Sequence, residues 1–282
     1  MPVGYLGPPG SFTQAALAGL DVPPHESVPY PSVRQALDAV RAGAVDGAVV
    51  PWENSVEGSV TASVDALSHG DLCITGETLL RVEFALGVPA GGSLDSVRRV
   101  LTHPHAHAQC SAWLHRELPH AEVINSASTA RAAQEVGSSA GPGEAAIAAP
   151  QALLDNGLDI AAQDIGARQD AMTRFVRISR RRAPAPPTGA DRSSLIVPMT
   201  GRVGELHIVL AEFARWSIPL TSVLSRPGGA GFGDYSFLLE CEGHISEPSV
   251  GAVVTALHQR NSRTMFLGSY PRAHSPHMSV PR

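Results

Sequence analysis

The sequence predicts an α/β protein followed by a smaller α+β domain. Three observations support this prediction: short apolar runs alternate with amphipathic stretches over the first 180 residues, extended stretches interrupt that rhythm twice, and the alternation restarts after a proline-rich segment. Of the 282 residues, 43% are hydrophobic and 17% charged, which is enough apolar surface for packed cores and speaks against a disordered chain.

Within the first region, apolar runs predict strands and the amphipathic stretches between them predict helices, so the sheet is expected to be mostly parallel. The predicted strands are 3–6, 47–51, 97–102, 121–124, 145–148 and 174–178. The predicted helices are 11–20, 32–42, 54–68, 104–116 and 128–136. The two extended stretches, at 77–89 and from about residue 160, predict that the chain crosses twice between two lobes. One lobe is expected to consist of residues 1–76 together with 160–180 and the other of residues 77–159, with a cleft between them.

Residues 181–191 predict a linker, because three prolines and a glycine in this stretch cannot continue a helix or a central strand. Beyond it, the pattern over 192–272 predicts a ferredoxin-like βαββαβ domain. Its predicted elements are a strand at 194–199, a helix at 204–216, strands at 220–226 and 235–241, a helix at 250–259 and a strand at 264–267. A glycine-rich hairpin is expected at 228–233 and a disordered tail at 273–282.

Composition excludes several classes of function. The formal net charge is −5, so the composition gives no sign of the basic surface that binds nucleic acid. All 21 basic residues are arginine, so neither a lysine Schiff base nor a phosphate-binding P-loop is available. No apolar run is long enough to span a membrane, and the N-terminus lacks the basic flank of a signal peptide. Three scattered cysteines are interpreted as free thiols, so we expect a cytoplasmic protein.

A glycine-rich turn at 7–13 follows the first predicted strand and opens a helix. Backbone N–H groups at such a helix start favour an anion. Ser11 and Gln14 also fit a capping box, so simple capping is an equally good interpretation of this turn.

The second strand-to-helix junction, at 51–60, carries Glu53, Asn54 and Ser55. These residues stand at the carboxyl end of a strand, where open α/β sheets bind ligands. Asn54 with Glu57 also fits a helix-capping pair, which is the alternative interpretation.

Three alternating histidines, His103, His105 and His107, raise the question of a metal site. Pro104 predicts a helix start, and around a helix His105 and His107 would lie about 200° apart. No carboxylate lies nearby in the sequence, so we interpret them as solvated side chains and expect no metal.

In this order, the motifs resemble those of the monofunctional bacterial prephenate dehydratase family over about residues 3–272. The matching segments are 7–13, 51–59, 102–110, 173–175 (Thr-Arg-Phe), 204–206, 224–227 and 267–271 (Leu-Gly-Ser-Tyr-Pro).

The resemblance implies a catalytic domain at 1–180 with a type II periplasmic-binding-protein-like fold and an amino-acid-sensing ACT domain at 192–272. It implies decarboxylating dehydration of prephenate to phenylpyruvate in phenylalanine biosynthesis, without a cofactor. Thr173 matches the family's essential threonine, a donor to the leaving hydroxyl, with Arg174 as a neighbouring source of positive field. The substrate-binding residues implied are Ser11, Glu53, Asn54, Ser55, Thr102, Gln109 and Phe175.

The resemblance also implies a homodimer or homotetramer regulated by phenylalanine. The regulatory residues implied are Gly204, Leu206, Leu224, Ser225, Arg226 and Pro227. Leu224 stands where the family has glutamate, Val203 where proline is common and Pro219 where asparagine is usual, so the amino acid that is sensed stays open. In the catalytic region, Thr102 replaces serine and Ala171 replaces an asparagine.

Three alternatives stay open at this point. A prephenate decarboxylase would lose carbon dioxide without forming an aromatic ring, and the retained Thr173 and Arg174 argue against it. An arogenate dehydratase would use the amino analogue of prephenate. A non-catalytic solute-binding module with a sensor domain is compatible with the fold, because fold does not fix function.

Overall fold

The computed structural model describes residues 1–68, 70–139, 141, 143–227 and 235–273. The hairpin expected at 228–233 and residues 274–282 of the tail expected at 273–282 lie outside the described residues. The strands are β1 (Val3–Leu6), β2 (Ser27–Tyr30), β3 (Gly47–Asn54), β4 (Gly58–Ser59), β5 (Leu72–Arg81), β6 (Ala85–Pro89), β7 (Arg99–Thr102), β8 (Glu122–Asn125), β9 (Glu144–Ala148), β10 (Leu158–Ala162), β11 (Met172–Arg180), β12 (Asp191–Pro198), β13 (Leu220–Pro227), β14 (Tyr235–Glu242) and β15 (Met265–Pro271). The α-helices are α1 (Phe12–Ala16), α2 (Val33–Arg41), α3 (Thr61–Leu67), α4 (Pro104–Glu117), α5 (Thr129–Ser139), α6 (Pro150–Asp155), α7 (Glu205–Arg215) and α8 (Pro248–Arg260).

The first sheet has the order β2-β1-β3-β11-β5, with the short β4 paired to β3. Strand β1 runs parallel to β2 and β3, whereas β11 runs antiparallel to both of its neighbours. Apolar side chains of α2 and α3 pack on one face of this sheet, against Val50, Val176 and Ile178. Helix α1 packs on the other face, near Tyr5 and Phe175. The central strands are therefore buried on both sides.

The second sheet has the order β10-β6-β9-β7-β8, in which β6 runs antiparallel to both of its neighbours. The chain crosses between the two sheets at 82–84 and 163–171, because β5 stays in the first sheet through Arg81 and β10 pairs within the second. These positions lie several residues beyond those predicted, 76/77 and 160. The antiparallel strands β6 and β11 are the ones that the chain enters directly after each crossing, which is why the sheets are mixed.

The helix predicted at 54–68 is shorter than expected. Asn54 is the last residue of β3, and Gly58, with φ +83°, allows the turn into β4 before α3 begins at Thr61. The expectation that Asn54 caps this helix is wrong. Its Oδ1 instead accepts hydrogen bonds from the backbone N–H groups of Val56 (2.8 Å) and Glu57 (3.1 Å) in the turn.

The third sheet has the order β13-β14-β12-β15 with all pairs antiparallel, and α7 and α8 cover one face. This is the βαββαβ arrangement predicted from the pattern, and residues 181–190 before it contain no helix or strand.

The other face of the third sheet packs against the first. Ile196, Leu238 and Tyr270 belong to the same buried cluster as Val50 and Val176. At the contact between β15 and β5, Gly268 has φ +142°, and a Cβ there would lie 2.3 Å from the Ile74 carbonyl oxygen. Only glycine allows this close approach. In the chain as far as the structure describes it, no helix is long and apolar enough to cross a membrane.

Candidate active site

A cleft of about 780 Å³ lies between the first and second sheets. It is bordered by residues that follow the carboxyl ends of β1 and β3, by the crossing residues Val82 and Phe84, and by the N-terminal turns of three helices. This is the edge at which α/β sheets bind ligands. Of the predicted site residues, Ser11, Asn54, Gln109, Thr173 and Phe175 line the cleft.

Thr173 and Asn54 form the central polar pair of the cleft. They face each other across β11 and β3, and the Asn54 Nδ2 donates to Thr173 Oγ1 at 2.8 Å. The Asn54 Oδ1 accepts from the backbone of the following turn, so the orientation of the amide is set and its NH₂ group points at Thr173. Because the Thr173 oxygen accepts here, its own proton is free to be donated to a molecule in the cleft.

A β-bulge directs the side chains of β3 at this point. Arg174 pairs with Glu53 and Phe175 pairs with Pro51, so Trp52 is an extra residue opposite β11. Consequently Pro51 and Asn54 line the cleft, whereas Trp52 and Glu53 both point to the opposite face of the sheet.

Arg174 and Glu53, expected at the substrate, therefore lie behind the sheet. Arg174 contacts Glu53 (2.9 Å), Glu77 (2.9 Å) and Glu240 (2.5 Å) and is 5% exposed. Burial opposes its charge, but the carboxylates of Glu240 and Glu77 hold the pKa of Arg174 above its ordinary value. Its positive charge is thus matched by buried carboxylates and is not directed at the cleft.

Two further predicted residues hold strands together outside the cleft. The buried Thr102 hydroxyl donates to the Ile147 carbonyl at 3.0 Å, which ties β7 to β9. Ser55 Oγ accepts from the Met172 N–H at 2.9 Å, which ties the end of β3 to the start of β11.

Ser11 combines the two interpretations of its motif. Its Oγ accepts from the Gln14 N–H at 3.3 Å, and Gln14 Oε1 accepts from the Gly10 N–H at 2.6 Å. The residue caps α1 and also lines the cleft.

One side of the cleft is closed by contacts between the two sheets. Glu57, in the turn after β3, accepts from Gln109 Nε2 (3.3 Å) and lies 2.8 Å from His105 Nδ1. Both partners are on α4, and the His103 ring stacks on His105 with centroids 5.1 Å apart. Burial, and then the neighbouring His105, lower the pKa of His103 below its ordinary value. Across the described residues, no group of three metal-binding side chains is arranged to hold an ion.

The sequence reasoning missed part of the positive contribution to the cleft. Ser128 and Thr129 at the start of α5 line the cleft together with Arg131, whose Nε also donates to Glu135 at 2.9 Å. The starts of α4 and of α1, the latter predicted from the sequence, border the same space. Converging helix N-termini favour an anion. The signal was available, because a serine- and threonine-rich junction follows β8 just as the recognised junctions follow β1 and β3.

The predicted regulatory residues do not share one pocket. Gly204, Leu206 and Ser225 line a cavity of about 500 Å³ with Tyr235 and Phe237. Arg226 and Pro227 line a different cavity, of about 770 Å³, on the face of the third sheet that meets the first. Leu224 packs against the buried cluster between these sheets. The split follows from the alternation of side chains along β13.

Comparison with known proteins identifies the class of protein. The model of the family described as prephenate dehydratase matches residues 3–183. The prephenate dehydratase of Amycolatopsis methanolica is 40% identical over 273 residues, which cover 96% of this chain and 88% of that protein. The solved prephenate dehydratase from Arthrobacter aurescens, in complex with L-Phe, superimposes with a TM-score of 0.90 at 40% identity and covers 100% of this chain and 94% of its own.

A second solved structure, GqqA, described as a novel type of quorum quenching acylase, superimposes with a TM-score of 0.85 at 28% identity, over 98% of this chain and 99% of its own. Together with the mixed α/β fold, the family model and these relatives define the chain as an enzyme. The chain belongs to the prephenate dehydratase family. Its reaction is the dehydration of prephenate in phenylalanine biosynthesis.

Proposed function

We propose that prephenate binds in the cleft between the first two sheets and that Thr173 donates the proton to its leaving hydroxyl. The hydroxyl departs as water, the ring carboxylate departs as carbon dioxide, and the electrons of the broken C–C bond complete the aromatic ring of phenylpyruvate. The reaction consumes one proton, which Thr173 passes to the leaving hydroxyl and regains from solvent, and it needs neither an oxidant nor a cofactor.

The observation that carries this proposal is the Asn54–Thr173 hydrogen bond of 2.8 Å inside the cleft. A free threonine hydroxyl is a very weak acid. Donation from the Asn54 amide to the Thr173 oxygen stabilises negative charge that develops on this oxygen as its proton moves to the substrate. Asn54 is thus the polarising partner that the sequence reasoning sought in Arg174.

The two carboxylates of prephenate are assigned to the side of the cleft where α1, α4 and α5 begin. Backbone N–H groups there, the Ser128 hydroxyl, the Gln109 amide and Arg131 supply donors. The Ser11 hydroxyl donates to the Leu6 carbonyl at 3.1 Å, so Ser11 acts by capping α1. Phe12 and Phe84, which meet edge to face at 5.7 Å, and the buried Phe175 supply an apolar wall for the ring. Four of the predicted site residues do not contact the substrate in this proposal and only help to hold the cleft residues in position: Glu53, Ser55, Thr102 and Arg174.

Residues 1–180 are proposed as the catalytic domain, with two lobes as in type II periplasmic-binding proteins, and 192–272 as an ACT domain, joined by the linker at 181–191. L-Phe is the proposed effector, and its proposed site is the cavity of Gly204, Leu206 and Ser225. Leu224 points away from this cavity, so the missing glutamate removes no group from it. The exposed Val223 and Tyr235 at this edge of the third sheet support a homodimer or homotetramer, and we propose a cytoplasmic location.

The test is incubation of the purified protein with prephenate, with the aromatic product followed by its ultraviolet absorbance in alkali. Phenylpyruvate formation that is lost in Thr173→Ala is the expected result. Consumption of prephenate without an aromatic product would identify a decarboxylase, and a much higher kcat/KM on arogenate would make arogenate the substrate. Absence of any turnover would favour a binding role.

L-Phe regulation is tested separately, by calorimetry with the wild-type protein and with Ser225→Trp, which fills the proposed cavity. Binding to the wild type that is lost in Ser225→Trp is expected. Binding that is unchanged in this variant would place the effector elsewhere.

A further inference from the structure

A buried cluster of charges joins the back of the first sheet to the third sheet. At its centre is Glu240 on β14, which is 0% exposed. Glu240 accepts from Arg174 Nη2 at 2.5 Å, from Trp52 Nε1 at 3.1 Å and from Ser194 Oγ at 3.1 Å. Burial alone would raise the pKa of this carboxyl, but Arg174 and Arg192 lower it, so Glu240 is an ion at neutral pH.

The two oxygens of Glu240 reach the two strands that carry the Asn54–Thr173 pair. Oε1 accepts from Trp52, which lies two residues before Asn54 on β3. Oε2 accepts from Arg174, which follows Thr173 on β11 and bonds in turn to Glu53. Both bulge residues are therefore held from behind, Trp52 directly and Glu53 through Arg174.

The bulge decides which way Asn54 points. In a regular strand, alternate side chains share a face, so Asn54 would share the face of Trp52 and point away from the cleft. The extra residue at Trp52 reverses this, because Trp52 and Glu53 both occupy the rear face and Asn54 returns to the front.

We propose that Glu240 is a positioning residue for catalysis, which holds the β3 bulge and thereby keeps Asn54 against Thr173. The proposal rests on the proposed role of Thr173. Glu240 lies on the third sheet and its partners Trp52 and Arg174 lie on the first, so these bonds form only when the two sheets are in contact. Loss of the contact would leave buried charges unpaired, which is strongly unfavourable. A residue outside the catalytic region thus completes the active site by holding the β3 bulge from behind.

The test variant is Glu240→Gln, which keeps the shape of the side chain and an acceptor for Trp52 but removes the charge that Arg174 requires. A fall in kcat of about tenfold to a hundredfold, with KM changed less than about twofold, is expected from a misplaced catalytic group. Trp52→Phe, which removes the Nε1 donor together with part of the buried indole ring, should lower kcat in the same manner but less. If Glu240→Gln does not fold, the kcat of Trp52→Phe is the measurement that tests the proposal.

The matched control is Asp65→Asn. Asp65 on α3 forms a bidentate pair with Arg226 on β13, so it also joins the first region to the third sheet, but at an exposed position away from the bulge. Unchanged kcat and KM in Asp65→Asn are expected. An equal loss of kcat in this control would show that any weakened docking slows the enzyme, and would overturn the specific role of Glu240.

A double-mutant cycle with Asn54→Ala separates positioning from general stability. If Glu240 acts through Asn54, the double variant should be no slower than Asn54→Ala alone. The proposal is contradicted if the fold-loss of kcat in the double variant equals the product of the losses in Glu240→Gln and Asn54→Ala. It is also contradicted if Glu240→Gln has the kcat of the wild type. If Thr173→Ala is inactive while Glu240→Gln is normal, only this inference fails. If the wild type does not form phenylpyruvate, the proposed function fails first.

Discussion

Replacement of Gly268 by alanine is expected to break the contact between β15 and β5. The added Cβ would lie 2.3 Å from the Ile74 carbonyl oxygen, whereas nonbonded heavy atoms prefer roughly 3.5 Å, so β15 would have to move by about 1 Å. The backbone at φ +142° adds strain for any residue with a Cβ. Overpacking and strain together predict a loss of roughly 2–6 kcal/mol in the free energy of unfolding.

Chemical denaturation of Gly268→Ala measures this loss, with Gly157→Ala as the matched control. Gly157 also has a positive φ, +71°, but nothing lies within 4 Å of a Cβ there, so only about 1–2 kcal/mol of strain is expected. Equal losses in the two variants would refute the close-contact argument. They would mean that Gly268 is required for its backbone conformation alone, and that β15 can move away from Ile74 at little cost.

Three further predictions concern other parts of the molecule. Burial raises the pKa of the Cys110 and Cys241 thiols to about 12, so both should resist alkylation in the native protein at pH 8–9. These thiols ionise near pH 9.0 in the unfolded chain, so the stabilisation that comes from keeping them protonated in the folded protein is fully present below that pH. It is lost as the pH rises from 9.0 towards 12, and thermal melts across this range measure the loss. Arg131→Gln should raise KM for prephenate roughly tenfold with little change in kcat, since it removes a charge that binds substrate and transition state alike; a lower kcat at unchanged KM would argue against this. Leu224→Glu should cost about 1–3 kcal/mol of stability by burying a polar group, without strengthening L-Phe binding in calorimetry.

The sequence predicts most of the elements because apolar periodicity and proline or glycine punctuation are local signals. It also predicts which residues follow strand ends, and by this rule it places Ser11 beside the cleft, whereas Gln109 and Thr173, which also line it, are predicted from the family resemblance. Asn54 lies at the carboxyl end of a strand, as predicted, and the alternative interpretation as a helix cap is wrong, because Gly58 allows a tight turn into β4.

The position of Glu53 could not be predicted, because one bulged residue exchanges the faces of β3 and leaves no pattern in the sequence. Arg174 could have been placed behind the sheet, because consecutive residues of a strand point to opposite faces and Thr173 faces the cleft. The role of Glu240 depends on how the third sheet docks, which is a long-range contact that no local signal encodes. Arg131 differs from these, because the rule applied to the first two strand ends also applies to the junction after β8.

The central claim is that the Thr173 hydroxyl donates the proton in the cleft. Its most direct test is the single-turnover rate of phenylpyruvate formation, with enzyme in excess, in Thr173→Ser and Thr173→Val. Serine keeps the hydroxyl, so the rate should stay within about tenfold of the wild type. Valine keeps the shape and removes the proton, so the rate should fall by about 10²–10⁴. A valine variant that reacts as fast as the serine variant would contradict the account.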